Sequence, residues 1–329
     1  MVEWVKDSNV IAFNRQMSRP ADALYIGEAN QHVGAASKIL SSPLSGARLP
    51  WKKTHPVFRF RPSEFTVWSG ANYAGKSLML GQVTLGLIRQ GDKIAMLSLE
   101  MPPERTMARM LRQAAHNREP GEPFERLFEK WLSGKFFVYE KTTSISPKRT
   151  LEIIDYCANE IGANHVIIDS LMKCNVGANS YDQQRAFIEA LFNSAKRHDN
   201  LHIHLVAHFG KPKPGMRVDR YSIKGPTEIS DIADNVMLIS RNLKKKREME
   251  KPEEDRDEKV MALPDGTLTI DKQRNGEWDG EVGLWYDRES QQYLSGSNNK
   301  PMDFLAGYNP GDSEEAETER RAIQQESEE

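Results

Sequence analysis

The chain has 329 residues, 38% of them hydrophobic, with 45 Lys and Arg against 47 Asp and Glu, so it can bury a large core while its formal charge is only −2. That balance excludes a bulk polycation, and any contact with nucleic acid has to come from a local basic surface. Two cysteines, Cys157 and Cys174, are too few for a disulfide framework; no apolar run could span a bilayer, and "MVEWVKDSNVIAF" lacks a signal-peptide core, so a soluble, cytoplasmic protein with no membrane partner is expected.

Residues 1–61 are mixed and proline-punctuated, with one short helix predicted over 35–40 and a basic turn, "GARLPWKK". They read as an N-terminal arm or linker. Residues 62–295 then alternate strand and helix: the strands are "EFTVWS", "KIAMLSL", "KFFVYE", "HVIIDS", "HIHLVA", "NVMLIS", "GTLTIDKQ" and "EVGLWYD", with helical patterns after each of the first four. Near-continuous apolar strands in this alternation predict an α/β fold, a mainly parallel sheet flanked by helices, with the last two strands as a C-terminal antiparallel hairpin. The run "RNLKKKREMEKPEEDRDEK" reads as a solvated, partly helical loop, and residues 296–329 as a flexible acidic tail that either keeps the chain soluble or docks a partner.

Three stretches carry chemistry. "TVWSGANYAGKSLML" passes from a strand into a glycine turn and then a helical pattern, and it fits Gly-x-x-x-x-Gly-Lys-Ser at Gly70, Gly75, Lys76 and Ser77. The backbone of Ala71, Asn72, Tyr73 and Ala74 can fold into a nest of N–H groups at a helix N-terminus, where the dipole and unpaired donors favour phosphate. Lys76 would reach the β- and γ-phosphates of a nucleoside triphosphate and the Ser77 hydroxyl would help hold Mg²⁺. Asp169 closes the apolar strand "HVIIDS" at the edge where open α/β sheets bind ligands, as a second holder of Mg²⁺. Glu100 follows another buried strand and precedes Pro102 and Pro103, so its carboxylate either polarises a water for in-line attack or merely favours the next helix.

"SLEMPPERTMARML" resembles the signature of the DnaB-type replicative helicases, RecA-like ATPases that include the phage primase-helicases and mitochondrial Twinkle. The resemblance extends from about residue 64 to 294 and implies a RecA-like P-loop core that hydrolyses ATP or another NTP or dNTP with Mg²⁺. In it, Glu100 takes the place of the catalytic base and Asp169 that of the Walker B acid. His208, after "HIHLVA", stands where relatives sense the γ-phosphate. His202, His204 and His208 share one face of a regular strand, but no carboxylate or Cys ligand stands nearby in sequence to support a metal site.

The loop carrying Lys211, Lys213, Arg217, Arg220 and Lys224 corresponds to one that faces the channel and holds single-stranded DNA; otherwise it is an ordinary solvated loop. "GANSYDQQRAF" is a second such loop. In "TIDKQRNGEWDGEVGLWYD", Lys272 and Arg274 alternate toward one face, and the family's basic pair there reaches the neighbouring subunit's nucleotide.

The implied protein is a phage-type replicative helicase, working in the cytoplasm of an infected bacterium as a homohexamer on single-stranded DNA. Partners could include a separate primase, polymerase or single-strand-binding protein. No primase region and no helical N-terminal domain is recognisable, which leaves subunit linking to the arm or to a separate primase. The alternatives are a recombinase or repair ATPase that forms filaments, and a nucleotide-gated loader or adaptor that does not unwind DNA.

Overall fold

The computed structural model describes residues 26–42, 45–176, 180–210 and 219–308. The chain divides into two compact units, residues 1–45 and 46–329. In the first, a 3-10 turn, Ala29–His32, leads into helix α1 (Val33–Ser41), which covers the short helix expected there. None of its residues is buried, and Ile26, Val33, Ile39 and Leu40 are exposed.

The second unit is built on one sheet. Strand β1 (Phe65–Gly70) leads through the glycine turn into α2 (Lys76–Arg89), β2 (Ile94–Ser98) into α3 (Pro103–Ala115) and α4 (Glu122–Leu132), and β3 (Phe136–Val138) into α5 (Pro147–Tyr156). Then come β4 (His165–Asp169), α6 (Tyr181–Arg197), β5 (His202–His208), a short α7 (Glu228–Ile232) and β6 (Asn235–Arg241). The strands lie in the order β3-β2-β4-β5-β1-β6, all parallel. Beyond β6 the sheet turns antiparallel through β7 (Gly266–Gln273), β8 (Gly280–Tyr286) and a short β9 (Tyr293–Leu294), which the sequence pattern does not announce.

Every residue of β1, β2 and β4 is buried, as parallel strands covered on both faces must be. One face carries α2, α3 and α4 through Leu80, Val83, Leu87, Met110, Phe128 and Trp131. The other carries α5 and α6 through Ile153, Ile154, Phe187, Ile188 and Leu191. Helix starts follow local chemistry: the Ser146 side chain accepts from the Arg149 N–H at the head of α5, with Pro147 in the first turn, where its missing N–H costs nothing. The charged run after β6 folds into α8 (Leu243–Met249) and α9 (Glu258–Met261), anchored by Lys245, whose ammonium is buried and lies 3.0 Å from Asp265.

Both ends of the compact unit differ from the boundaries expected at 62 and 295. Residues 46–61 are part of the core rather than an arm: Leu49, Trp51, Phe58 and Phe60 are buried in it, and the Trp51 indole N–H donates to the Tyr293 carbonyl at 2.7 Å. Their irregular path, pinned by a two-way bridge between Ala47 and Phe60, has no periodicity for a sequence pattern to reveal. At the other end, Phe304 and Leu305 are buried against the same cluster, and the Met302 N–H donates to Gln292 Oε1 at 2.7 Å. Residues 309–329, most of the expected acidic tail, lie outside the described residues.

A chain shortened to begin at residue 62 should therefore unfold at much lower urea than one beginning at residue 46. In the full chain, Trp51→Ala should cost about 3–5 kcal/mol, as deletion of a buried aromatic ring does. Equal urea midpoints for the two shortened chains would remove residues 46–61 from the core.

Candidate active site

Strand pairing sets the site. Gly70 at the end of β1 pairs with His208 at the end of β5, and Ser98 at the end of β2 pairs with Asp169 at the end of β4. Four parallel strands thus finish at one edge, and the chain after each delivers a polar group there.

The glycine turn connects β1 to α2 with Gly75 at φ 94°, a left-handed conformation that residues with a Cβ rarely adopt. Packing adds a second reason for both glycines: a Cβ at Gly75 would collide with the Tyr293 hydroxyl, and one at Gly70 with the Ile239 carbonyl. Lys76, at the head of α2, folds its ammonium back to donate to the carbonyls of Gly70, at 2.9 Å, and Ala71, at 3.0 Å. Burial pushes the Lys76 pKa down, while Asp169 and Glu100 pull it up.

The Ser77 hydroxyl donates to Asp169 Oδ2 at 2.8 Å. Burial pushes the Asp169 carboxyl above its usual pKa, and the Ser77 hydrogen bond works against that rise. A nearly buried carboxylate beside a hydroxyl at a phosphate-type loop lacks a full counter-charge, so the pair suits a hard divalent cation such as Mg²⁺.

Glu100 is gripped from two sides. The Ser170 hydroxyl donates to Glu100 Oε1, and His208 Nε2 lies 3.4 Å from the same oxygen. His208 Nδ1 in turn lies 3.1 Å from the Asn72 Oδ1 in the glycine turn. Contact with His208 first, and then with Ser170, holds the Glu100 pKa down at about 2 against the opposing effect of burial. Glu100, His208 and Asn72, with Lys76, Ser77 and Asp169, line a cavity of about 1250 Å³, bordered also by Tyr73, Arg109, Lys224, Arg241 and Gln291.

Residues 57–214 match the family model described as the AAA domain. Among solved structures, the chain is similar to one described as an ATPase domain, at 15% identity and a TM-score of 0.67 over 82% of this chain and 99% of that one. It is also similar to a DnaB-like replicative helicase whose structure was solved to show its interactions with primase, at 15% identity and a TM-score of 0.63 over 87% of this chain and 74% of that one. The fold is that of a DnaB-type helicase ATPase domain, a RecA-like core.

Within this DnaB-type fold the basic pair stands apart from the cavity. Lys272 Nζ donates to the carbonyls of Ser230, at 2.9 Å, and Asp231, at 2.8 Å, at the end of α7. The Arg274 guanidinium meets the same turn through longer contacts, 3.3 Å to the Asp231 carbonyl and 3.4 Å to both the Ile232 carbonyl and Asp234 Oδ1. Neither residue lines the cavity.

Of the five basic residues expected to meet DNA, Lys211, Lys213 and Arg217 lie outside the described residues, as do residues 177–179 of the second loop. Arg220 is tied to Asp271 on β7, Nε to Oδ2 at 2.8 Å. Lys224 borders the nucleotide-type cavity, and its backbone N–H donates to the His208 carbonyl at 2.8 Å.

The three histidines of β5 do not converge. His202 and His204 are fully buried, the first between Thr66 Oγ1 at 2.8 Å and the Arg61 carbonyl at 2.6 Å, the second between the Trp68 indole and His165. Burial drives both well below the usual histidine pKa, so they are neutral packing groups. Sequence reasoning gives no role to Ser170 or to the Asn72 side chain, since the first reads only as the end of a strand and the second only as backbone.

Because the folded-state pKa of Glu100 lies below the usual value, its stabilising effect is complete above about pH 4.5 and is lost as pH falls through about 2. Glu100→Gln has no such proton to take up, so its melting temperature should fall less steeply than the parent's between pH 4.5 and 2. Parallel melting curves for the two proteins across that window would show that Ser170 and His208 do not hold the carboxylate.

Proposed function

We propose that the protein is a nucleoside-triphosphate-driven DNA helicase of the DnaB type, turning over nucleotide between adjacent copies of a homohexamer on single-stranded DNA. The convergence of Lys76, Ser77, Glu100, Asp169 and His208 on one sheet edge carries this reading. On binding triphosphate, the Lys76 ammonium exchanges the carbonyls of Gly70 and Ala71 for phosphate oxygens. The backbone N–H groups from Ala71 to Gly75 hold the remaining phosphate charge. Mg²⁺, held by Ser77 and Asp169, would draw negative charge from the phosphate oxygens.

Glu100 is the general base. Ser170 and His208 both occupy Oε1, which fixes the carboxylate plane and leaves Oε2 to orient and deprotonate the attacking water. His208 touches Glu100 on one side and Asn72 of the phosphate loop on the other, so arrival or loss of the γ-phosphate changes its contacts and is passed along β5 to the loop that follows. Arg274, standing outside its own cavity, serves a neighbouring copy and neutralises charge that develops on the transferred phosphoryl group. The resemblance to a helicase studied together with primase supports a separate primase as a partner. Residues 62–295 hold most of the motor, extended by 46–61, whose aromatic rings are buried in the same core.

Lys76→Ala should abolish turnover, and Glu100→Gln should bind nucleotide and lose at least about 100-fold in kcat, the scale expected when a general base is removed. Arg274→Ala should lose turnover by itself. In mixtures of Glu100→Gln and Arg274→Ala chains, turnover should reappear, because some sites then combine an intact Glu100 with a neighbour's intact Arg274. If no mixing ratio restores phosphate release, Arg274 does not act in trans. Strand displacement on a forked duplex by closed rings separates a helicase from a filament-forming ATPase or a loader.

A further inference from the structure

Tyr73, at the tip of the glycine turn, stands out in two ways. Its ring is 94% exposed, more than any other large hydrophobic side chain among the described residues. Its backbone sits at φ 62°, a left-handed conformation that glycine adopts freely and a bulky aromatic residue rarely does. The nest accounts for the backbone, but not for a large ring left in solvent beside a candidate ligand cavity, which offers its face to a partner from outside this chain.

The surroundings narrow what meets it. Tyr73 adjoins Asn72, whose Oδ1 contacts His208, and it borders the same cavity as Glu100 and His208. Arg274 is a guanidinium without a place in its own cavity. It is 44% exposed, is held by contacts of 3.3 Å and longer, and already rests over an aromatic face, 5.6 Å from the Phe192 ring centroid.

We propose that Tyr73 is the landing surface for the Arg274 guanidinium of a second copy of this chain. A cation–π contact there steers that guanidinium to the terminal phosphate. The inference rests on the proposed action of Arg274 in trans and adds the residue that receives it. Tyr73 is then a positioning residue: it touches the incoming cation and not the reacting atoms. Arginine suits such a contact better than lysine because its flat, weakly hydrated cation stacks on a ring.

The test is a double-mutant cycle read as steady-state turnover per chain at saturating nucleotide and single-stranded DNA. Tyr73→Asn removes the ring and keeps a residue tolerant of left-handed backbone; Tyr73→Gly does the same with no side chain at all. Both should lose about tenfold in kcat, the scale of one well-placed cation–π contact. Tyr73→Trp, with a larger face, should keep at least half of the parent's turnover. Arg274→Lys should lose about tenfold in the parent and less than threefold in Tyr73→Asn, because the contact it spoils is already absent.

Multiplying losses would overturn the proposal, since independent residues behave that way. Parental turnover in Tyr73→Asn and Tyr73→Gly, with Arg274→Ala inactive, would overturn the role of Tyr73 alone and leave the shared site standing. Full activity in Arg274→Ala would overturn the shared site and the landing surface together.

Discussion

The register between parallel strands is the constraint on which the rest of the structure depends. Gly70 beside His208 and Ser98 beside Asp169 bring the ends of β1, β5, β2 and β4 level. Four short stretches between positions 70 and 208 meet there although they lie far apart in sequence. Slipping one strand by a single residue would turn its alternate side chains to the opposite face and break that meeting. The packing on both faces prevents such a slip, because β1, β2 and β4 are buried along their whole length.

The polar groups at that edge find hydrogen-bond partners within the chain. Lys76 is satisfied by two carbonyls, Asp169 by a hydroxyl, and Glu100 by Ser170 and His208. The carbonyls at Lys76 are partners that phosphate oxygens can replace, and the Ser77–Asp169 contact is one that a divalent cation can enter. The opposite pKa directions of the two acids follow from their settings: Asp169 is nearly enclosed and rises, whereas Glu100 is half open and hydrogen-bonded and falls. One carboxylate that stays ionised and another that lacks a full counter-charge thus stand side by side at the same sheet edge.

Further back along the same strands lies a polar layer with a structural role. His165, His202 and His204 stack on one another, and Phe60 sets its edge against all three, with ring centroids 4.9 Å from His204 and 5.1 Å from His202. The Trp68 indole N–H donates to His204 Nδ1, which leaves His204 Nε2 to carry the proton shared with His165. This ladder of rings gives residues 46–61 their seat on the sheet.

Local patterns in the chain determined the alternation of strand and helix, the parallel core, the glycine turn with Lys76 and Ser77, and the candidacy of Asp169 and Glu100, because a strand that ends in a polar residue at a sheet edge is written in consecutive letters. Tertiary structure alone decided what lies far apart in the chain. It drew 46–61 and Phe304 into the core, left His202 and His204 as packing groups and sent His208 to the site, and tied Arg220 to Asp271. It also set Ser170 and Asn72 on either side of the Glu100–His208 contact. The physical reason is that periodicity reports which face of an element is buried, whereas the partner met at that face is chosen by packing between elements, which no single stretch of sequence encodes.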